Sequence, residues 1–181
     1  MEDLKINLYQ IERAHLPNIQ SFFNDGFEEF LPTYKQYSKG DLDAWLDSIS
    51  SDHNTVGFTI QGSKGFRDYI VGLVLLRNID WISRHAELFF VMVDKEGSKA
   101  TMHDLPATKY VVRRVMKFAF EEFNLNKIWI EAYENNKIMP VLESFGFVAE
   151  GVRKEVVYKN GKYLDSVICS VLKEEYDSYN N

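Results

Sequence analysis

Alternation of apolar and polar residues marks the extended segments of this chain. From residue 4 to residue 8 every second side chain is apolar, and the run LKINLYQI (4–11) predicts a first strand. Runs rich in β-branched and apolar residues predict further strands at TVGFTI (55–60), YIVGLVLLR (69–77), AELFFVMV (86–93) and KIWIEAY (127–133). Near the C-terminus, Asn160-Gly161 is a strong two-residue turn signal inside EVVYKNGKYLDSVICSVL, which predicts a closing hairpin.

Apolar residues spaced three and four apart mark the helices. This spacing occurs in HLPNIQSFFNDG (15–26), in DLDAWLDSI (41–49), in LPATKYVVRRVMKFAFEEFN (105–124) and in the short run that ends at Gly146. Asp41 stands where a capping side chain belongs, and Gly146 stands where a helix ends in the left-handed conformation. The pattern at 105–124 lies between two predicted strands, which indicates a parallel strand–helix–strand crossover.

The order of these elements is β, α, α, β, β, β, α, β, α, β, β. Several antiparallel strands come first, then one crossover, then the closing hairpin. This order predicts an α/β fold of the α+β kind, with a mixed, mostly antiparallel seven-stranded sheet and helices on both faces. A length of 181 residues suits one domain, which we expect to span residues 1–175, followed by a flexible tail at 176–181.

The composition indicates a full hydrophobic core under an acidic surface. Hydrophobic residues make up 45% of the chain and charged residues 27%, and the formal net charge is −6. An acidic chain is a poor partner for nucleic acid or an anionic membrane, so we expect neither. Because the sequence has no leader pattern and no apolar run long enough to span a bilayer, we expect a cytoplasmic protein. The single cysteine, Cys169, excludes an internal disulfide, and we expect no metal site.

The C-terminal part of the chain carries several motifs in a fixed order. An asparagine precedes a helix that ends in Gly-Phe eleven positions later, and an EG-x-x-R motif and a Y-x-x-G-x-Y-x-D hairpin follow. In this order the motifs resemble the GNAT superfamily of acyl-CoA-dependent N-acetyltransferases, in the branch of the ribosomal-protein-alanine and spermidine N-acetyltransferases. The resemblance covers residues 70–175 well and residues 4–60 in outline. The matching positions are Asn135, Gly146, Phe147, Glu150, Gly151, Arg153, Tyr158, Gly161, Tyr163 and Asp165.

The resemblance implies transfer of an acetyl group from acetyl-CoA to a primary amine by direct attack. Such a reaction needs a proton acceptor for the ammonium group and a donor for the developing oxyanion. By resemblance, the strand at 86–93 splays from the next parallel strand, and the backbone of Phe90, Val91, Met92 and Val93 contacts the coenzyme. Glu87 on the same strand would take the proton through water; the alternative is an outward-facing carboxylate without a role in catalysis.

The predicted phosphate-binding segment departs from the family pattern. The family has a Gln/Arg-x-x-Gly-x-Gly/Ala loop, whereas this chain has DKEGSKATMHDLPATKY at 94–110. Alignment backwards from the long helix places no glycine in the loop and includes Pro106, which has no N–H to donate. Alignment forwards from the preceding strand instead places GSKAT (97–101) at the position of the family loop. We therefore predict that Ser98, Lys99 and the amides of Ala107 and Thr108 bind the coenzyme phosphates; the alternative is a plain exposed loop.

Two interpretations of function follow. In the first, the chain is an active N-acetyltransferase for a small amine or a peptide N-terminus, and Asn135 contacts the coenzyme rather than only capping its helix. The aromatic and acidic segment 27–39 would then line a pocket for a cationic amine. In the second, the chain is a catalytically inactive GNAT-fold binding or regulatory protein. Leu142 and Ile138 stand where the family often has a tyrosine or serine to protonate the thiolate. The missing loop glycines, Pro106 and Leu142 favour the second interpretation, whereas Glu87, Asn135 and the closing hairpin favour the first, and we favour the enzyme. The exposed closing strand could also pair with a second copy as a homodimer.

Overall fold

The computed structural model describes residues 5–26, 36–64, 67–92, 105–133, 138–159 and 161–180. Within these residues, seven strands form one sheet, and their order along the chain is the predicted one. The strands are β1 (Lys5–Gln10), β2 (Val56–Lys64), β3 (Arg67–Asp80), β4 (His85–Met92), β5 (Lys127–Tyr133), β6 (Val148–Lys159) and β7 (Lys162–Leu172). The helices are α1 (Leu16–Ser21), α2 (Lys39–Ser51), α3 (Leu105–Lys117), α4 (Met139–Glu143) and α5 (Lys173–Asn180), with π-helical turns continuing α1 (Phe22–Gly26) and α3 (Phe118–Glu122).

The sheet is mixed and mostly antiparallel, as predicted. Its spatial order is β1-β2-β3-β4-β5-β7-β6. β4 and β5 pair in parallel, and the five other neighbouring pairs are antiparallel. The parallel pair is the one joined through α3, so the predicted crossover is confirmed.

Helices cover both faces of the sheet. On one side, which we call the α1 face, Ile19 of α1 and Leu42 of α2 pack against Leu73 and Leu75 of β3. On the other side, the α3 face, the side chains of α3, α4 and α5 share a larger core with alternate residues of β3, β4 and β5. α1 and α2 reach β3 and β4 but contribute no residue to a cluster with β5 among the described residues. Among the described residues, helices therefore cover β3, β4 and β5 on the α3 face but only β3 and β4 of these on the α1 face.

The ends of two helices test the capping predictions. α2 begins after Ser38, whose Oγ accepts a hydrogen bond from the Asp41 amide at 3.2 Å, while Asp41 Oδ2 accepts one from the Ser38 amide at 2.9 Å. The cap is therefore Ser38, and Asp41 is its reciprocal partner one turn later, not the cap that we predicted. At the end of α4, Gly146 has a φ of 84°, which confirms the left-handed position.

The C-terminal residues differ from the predicted flexible tail. Residues 176–180 lie within α5, and the Tyr176 side chain is only 5% exposed. Its ring lies 5.0 Å from the ring of Phe120, and its hydroxyl donates a hydrogen bond to Glu121 at 3.2 Å. The sequence analysis did not predict α5, because a short polar segment gives little helical signal, whereas one buried aromatic side chain is enough to hold it against the core.

Candidate active site

β4 and β5 form a fork. They pair over three residues, from His85 opposite Lys127 to Glu87 opposite Trp129. Beyond that point β4 continues to pair with β3 as far as Met92, and β5 continues to pair with β7 as far as Tyr133. Each arm is therefore held by its outer neighbour, while the inner edges of the two arms no longer pair with each other. This confirms the predicted splay.

The β4 arm offers backbone groups rather than side chains to the fork. Phe90, Val91 and Met92 are 4%, 0% and 3% exposed, since alternate side chains are buried on the two faces of the sheet. Backbone N–H and C=O groups on an unpaired inner edge need partners, and an extended amide-containing ligand supplies them. The fourth residue predicted for this contact, Val93, lies outside the described residues.

A glycine on β3 sets the position of the β4 arm. Gly72 lies opposite Met92, and a Cβ atom on Gly72 would lie 2.1 Å from the Val91 carbonyl oxygen and 3.0 Å from the Met92 Cα. Both atoms belong to the backbone, so no side-chain rotation could relieve the contact. The close approach of β3 to the β4 arm therefore depends on the absence of a side chain at residue 72.

Glu87 lies at the closed end of the fork, and its carboxylate is fully engaged. The residue is 7% exposed, and the Arg77 guanidinium donates to Oε1 while the Asn78 side chain donates to Oε2 at 2.8 Å. The Arg77 guanidinium also lies 4.7 Å from the centre of the Phe89 ring. An aromatic face and a carboxylate thus hold the same cation. These contacts fit an ion pair that stabilises the closed end of the fork.

A second carboxylate, which the sequence analysis did not single out, lies just beyond the fork point. Glu131 is the first β5 residue past Trp129 whose side chain points to the α1 face, and its side chain is 25% exposed. Arg153 Nη1 donates to its two oxygens at 2.9 and 2.8 Å, and the Ser166 hydroxyl donates to Oε1. Two residues further on, burial raises the pKa of the Tyr133 hydroxyl, and the charge of Glu131 raises it further.

The signal for Glu131 was present in the sequence. In KIWIEAY, the alternation buries Ile128, Ile130 and Ala132 on the α3 face and leaves the intervening side chains on the other face. A glutamate in that intervening set, on a strand predicted to line the fork, was as strong a candidate as Glu87. What the sequence could not indicate is that Arg153 would reach it from 22 residues away.

The first turn of α3 closes the far end of the β4 arm. Ala107 and Thr108 are 6% and 0% exposed, and the Thr108 hydroxyl donates to the Met92 sulfur at 3.5 Å. Their side chains therefore serve packing, and the phosphate contact predicted for their amides stays a prediction. Ser98, Lys99 and Asn135, the other predicted ligands, lie outside the described residues.

The α4 residues at the predicted acid positions are apolar and buried. Leu142 is 0% exposed and Ile138 is 1% exposed, and both belong to the main core. Neither side chain carries a proton that could be donated to a leaving group. Within the described ranges, no cluster of three or more histidine, cysteine, aspartate or glutamate side chains could hold a metal ion.

Comparison with known proteins places this site in a family. A model of the acetyltransferase (GNAT) domain matches residues 9–168. The chain belongs to the GNAT acetyltransferase family. A Bacillus subtilis protein named as a ribosomal N-acetyltransferase, YdaF, is 31% identical over 109 residues, which are 60% of this chain and 56% of that protein. A spermidine N(1)-acetyltransferase of Vibrio cholerae is 32% identical over 108 residues, or 59% of each chain. The chain thus matches less than two thirds of the length of these relatives.

A solved structure shows the same fold over nearly the whole chain. The spermidine N-acetyltransferase of Vibrio cholerae in complex with CoA and spermine superposes with a TM-score of 0.82 and 24% identity. The match covers 94% of this chain and 97% of that one. The predicted GNAT-like sheet is therefore confirmed. None of the helices in the described part of the chain combines the length and the apolar character that crossing a bilayer requires.

Proposed function

We propose that this chain transfers an acetyl group from acetyl-CoA to a primary amine, on a small molecule or at a peptide N-terminus. The observation that carries the proposal is the fork, whose β4 arm keeps an unpaired inner edge beyond Glu87 in a member of an acetyltransferase family. The named activities of the relatives, and the CoA and spermine bound in the solved structure, support an amine acceptor. The comparisons give no support to the alternative of an inactive GNAT-fold protein.

The fork and the start of α3 fit the coenzyme. Acetyl-CoA supplies the acetyl group as an activated thioester, and the backbone of residues 90–93 would hydrogen-bond its amide-containing arm. The amides of Ala107 and Thr108 would bind the phosphates, assisted by Ser98 and Lys99 and by the positive end of the α3 dipole. α3 itself has four basic residues and no acidic one, although the whole chain is acidic. This helix would therefore attract a polyanionic coenzyme.

We infer that Glu131, rather than Glu87, takes the proton of the acceptor ammonium group. Both carboxylates lie on the α1 face near the fork point, and donors reach both oxygens of each. They differ in exposure, since the Glu87 side chain is 10% exposed and the Glu131 side chain is 25% exposed. A water molecule can therefore bridge Glu131 to an amine more readily than Glu87. The catalytic role predicted for Glu87 stays a prediction, which the variants below distinguish.

Release of the thiolate requires no protein acid in this proposal. Leu142 and Ile138 cannot donate a proton, and a thiol with an ordinary pKa of about 8.5 leaves as the thiolate and takes its proton from water. Glu131 first takes one proton of the ammonium group through water. The neutral amine nitrogen then forms the new bond to the acetyl carbon as the carbon–sulfur bond breaks, and the second proton lost from the nitrogen passes through water to the thiolate.

Calorimetry with acetyl-CoA and CoA, together with a thiol-release assay over a panel of primary amines, tests the proposal. We expect binding in the micromolar range or tighter, which weakens in Asn135→Ala and Lys99→Ala. Glu131→Gln should lower kcat by about 100-fold, whereas Glu87→Gln should mainly lower stability. A protein that binds neither CoA nor acetyl-CoA and releases no thiol with any amine would refute the proposal and favour the inactive alternative. A larger loss of kcat in Glu87→Gln than in Glu131→Gln would reverse the assignment of the proton acceptor.

A further inference from the structure

Two matching polar clusters lie side by side on the part of the α1 face formed by β5, β7 and β6. In the first, Glu131 is bound by Arg153 and by the Ser166 hydroxyl. In the second, Glu150 is bound by Lys127 at 2.5 Å and by the Ser170 hydroxyl at 2.7 Å. Each cluster consists of one carboxylate, one cation and one serine, so each is electrically neutral.

We propose that Arg153 is a positioning residue that makes the acceptor site selective for amines with a single ammonium group. This inference rests on the proposed function. It concerns the Glu131 cluster because that cluster lies just beyond the fork point, where β4 and β5 separate. Arg153 would hold the Glu131 carboxylate in place while its own charge repels any further cation. The Glu150 cluster, which lies beside the closed end, would have no such effect.

The backbone of β6 fixes Arg153 at this position. Arg153 pairs with Ser166 of β7, and the next paired residue is Val157, opposite Leu164, so three residues bulge out between them. Glu155 within the bulge has a φ of 53°, and its amide donates to Asp165 at 2.8 Å. A bulge redirects the side chains next to it. Arg153 thus reaches across β7 to Glu131 on β5, although its side chain remains 56% exposed.

The charges of Glu131 and Arg153 determine how many ammonium groups an acceptor can carry. Arg153 Nη1 contacts both Glu131 oxygens, and Oε2 still has room for one further donor, such as the ammonium group of an acceptor or its bridging water. With Arg153 present, the pair is electrically neutral, so only the local contact at Oε2 holds one ammonium group. A second ammonium group a few ångströms away would meet the exposed Arg153 guanidinium and be repelled. Without Arg153, the same carboxylate would attract both ammonium groups.

The test compares two acceptors of equal length, n-butylamine and 1,4-diaminobutane, in the full-length protein. We expect the wild type to prefer the monoamine in kcat/KM, and Arg153→Gln to shift the ratio toward the diamine by about five- to tenfold, the size expected for one charge at a partly exposed site. The ratio is taken within one protein sample, so a partly inactive or less stable variant does not change it. A purely structural role for Arg153 would lower both rates and leave the ratio unchanged.

Two further variants sharpen the comparison. Arg153→Lys keeps the charge and should restore the wild-type ratio. Lys127→Gln removes the cation of the Glu150 cluster. Lys127 lies four residues from Glu131 along β5, a distance of about 13 Å. This distance exceeds the screening length of about 8 Å at physiological salt. Lys127→Gln should leave the ratio unchanged. An unchanged ratio in an active Arg153→Gln, or an equal shift in Lys127→Gln, would overturn this inference and leave the proposed function intact. Absence of thiol release by the wild type with every amine would overturn the proposed function itself.

Discussion

Replacement of Gly72 by alanine tests whether the spacing between β3 and the β4 arm controls coenzyme binding. The added Cβ would lie 2.1 Å from the Val91 carbonyl oxygen, and this separation must grow to at least 3.0 Å. Because the obstacle is backbone, β4 must move away from β3 along the segment that would contact the coenzyme. Overpacking of this kind costs about 1–3 kcal/mol, and the lower entropy of unfolded alanine recovers about 0.4–1 kcal/mol. We therefore expect a net loss of about 1.3 kcal/mol in the free energy of unfolding.

Urea denaturation and acetyl-CoA calorimetry measure the two consequences. A loss of about 1.3 kcal/mol should lower the urea midpoint by about 0.6 M. Displacement of the β4 arm by about 1 Å should also weaken acetyl-CoA binding by about tenfold, because the backbone of Val91 and Met92 would no longer match the ligand.

Gly57 on β2 provides a matched control. A Cβ on Gly57 would lie 2.5 Å from Leu75 Cδ2 and 2.8 Å from Ile11 Cδ1, which are ends of side chains that can rotate away. Gly57→Ala should therefore lose less than about 1 kcal/mol and keep the wild-type affinity for acetyl-CoA. If the two alanine variants are equally stable, or if Gly72→Ala binds acetyl-CoA as the wild type does, the reasoning about the β4 arm is wrong.

Three further predictions concern stability. Arg77→Met should lower the free energy of unfolding by about 2 kcal/mol, because it leaves the Glu87 carboxylate, which is 7% exposed, without its cation; partial exposure of Arg77 moderates the cost. Hydrogen bonds from Lys127 and then from Ser170 lower the pKa of Glu150. The stability that the Glu150 carboxylate contributes is therefore fully present above the pKa of the unfolded carboxyl group, and it is lost as the pH falls through the lowered pKa of the folded state. The free energy of unfolding of the wild type should exceed that of Glu150→Gln by about 0.5 kcal/mol at pH 7, and denaturation curves should show the difference shrinking once the pH falls below the ordinary glutamate pKa of about 4.3. Tyr176→Ala should cost about 3 kcal/mol by removing the contact with Phe120.

The predictions for Arg77 and Tyr176 each have a control variant. Arg114 is an exposed arginine of α3, and Arg114→Met should change the urea midpoint little. Tyr163 is 62% exposed, so Tyr163→Ala should leave the midpoint nearly unchanged. Equal losses in Tyr176→Ala and Tyr163→Ala would mean that α5 does not pack on the core in solution. A difference between wild type and Glu150→Gln that grows as the pH falls would contradict the assigned direction of the pKa.

The sequence by itself determined the order of the elements and the family. Alternation and helical spacing are local properties, because each depends on neighbours within one strand or one turn of helix. The runs around Glu87 and Glu131 therefore predicted strands of the sheet, and the spacing from Asn135 to Gly146 carried the resemblance that the family match confirmed. The same local logic misassigned Asp41 as a cap and gave no signal for α5, since short-range patterns do not report which side chain finds a distant partner.

Only the tertiary structure decided how the site is assembled. The point at which β4 and β5 separate depends on strand register, which arises from pairing with β3 and β7 and not from either strand alone. The same pairing brings Arg77 to Glu87 across ten residues and Arg153 to Glu131 across 22 residues. Glu87 is thereby held in a buried ion pair at the closed end of the fork, and Glu131 is held in a more exposed ion pair just beyond the fork point. Sequence spacing does not distinguish the two glutamates, because their difference lies in contacts that form when the sheet closes.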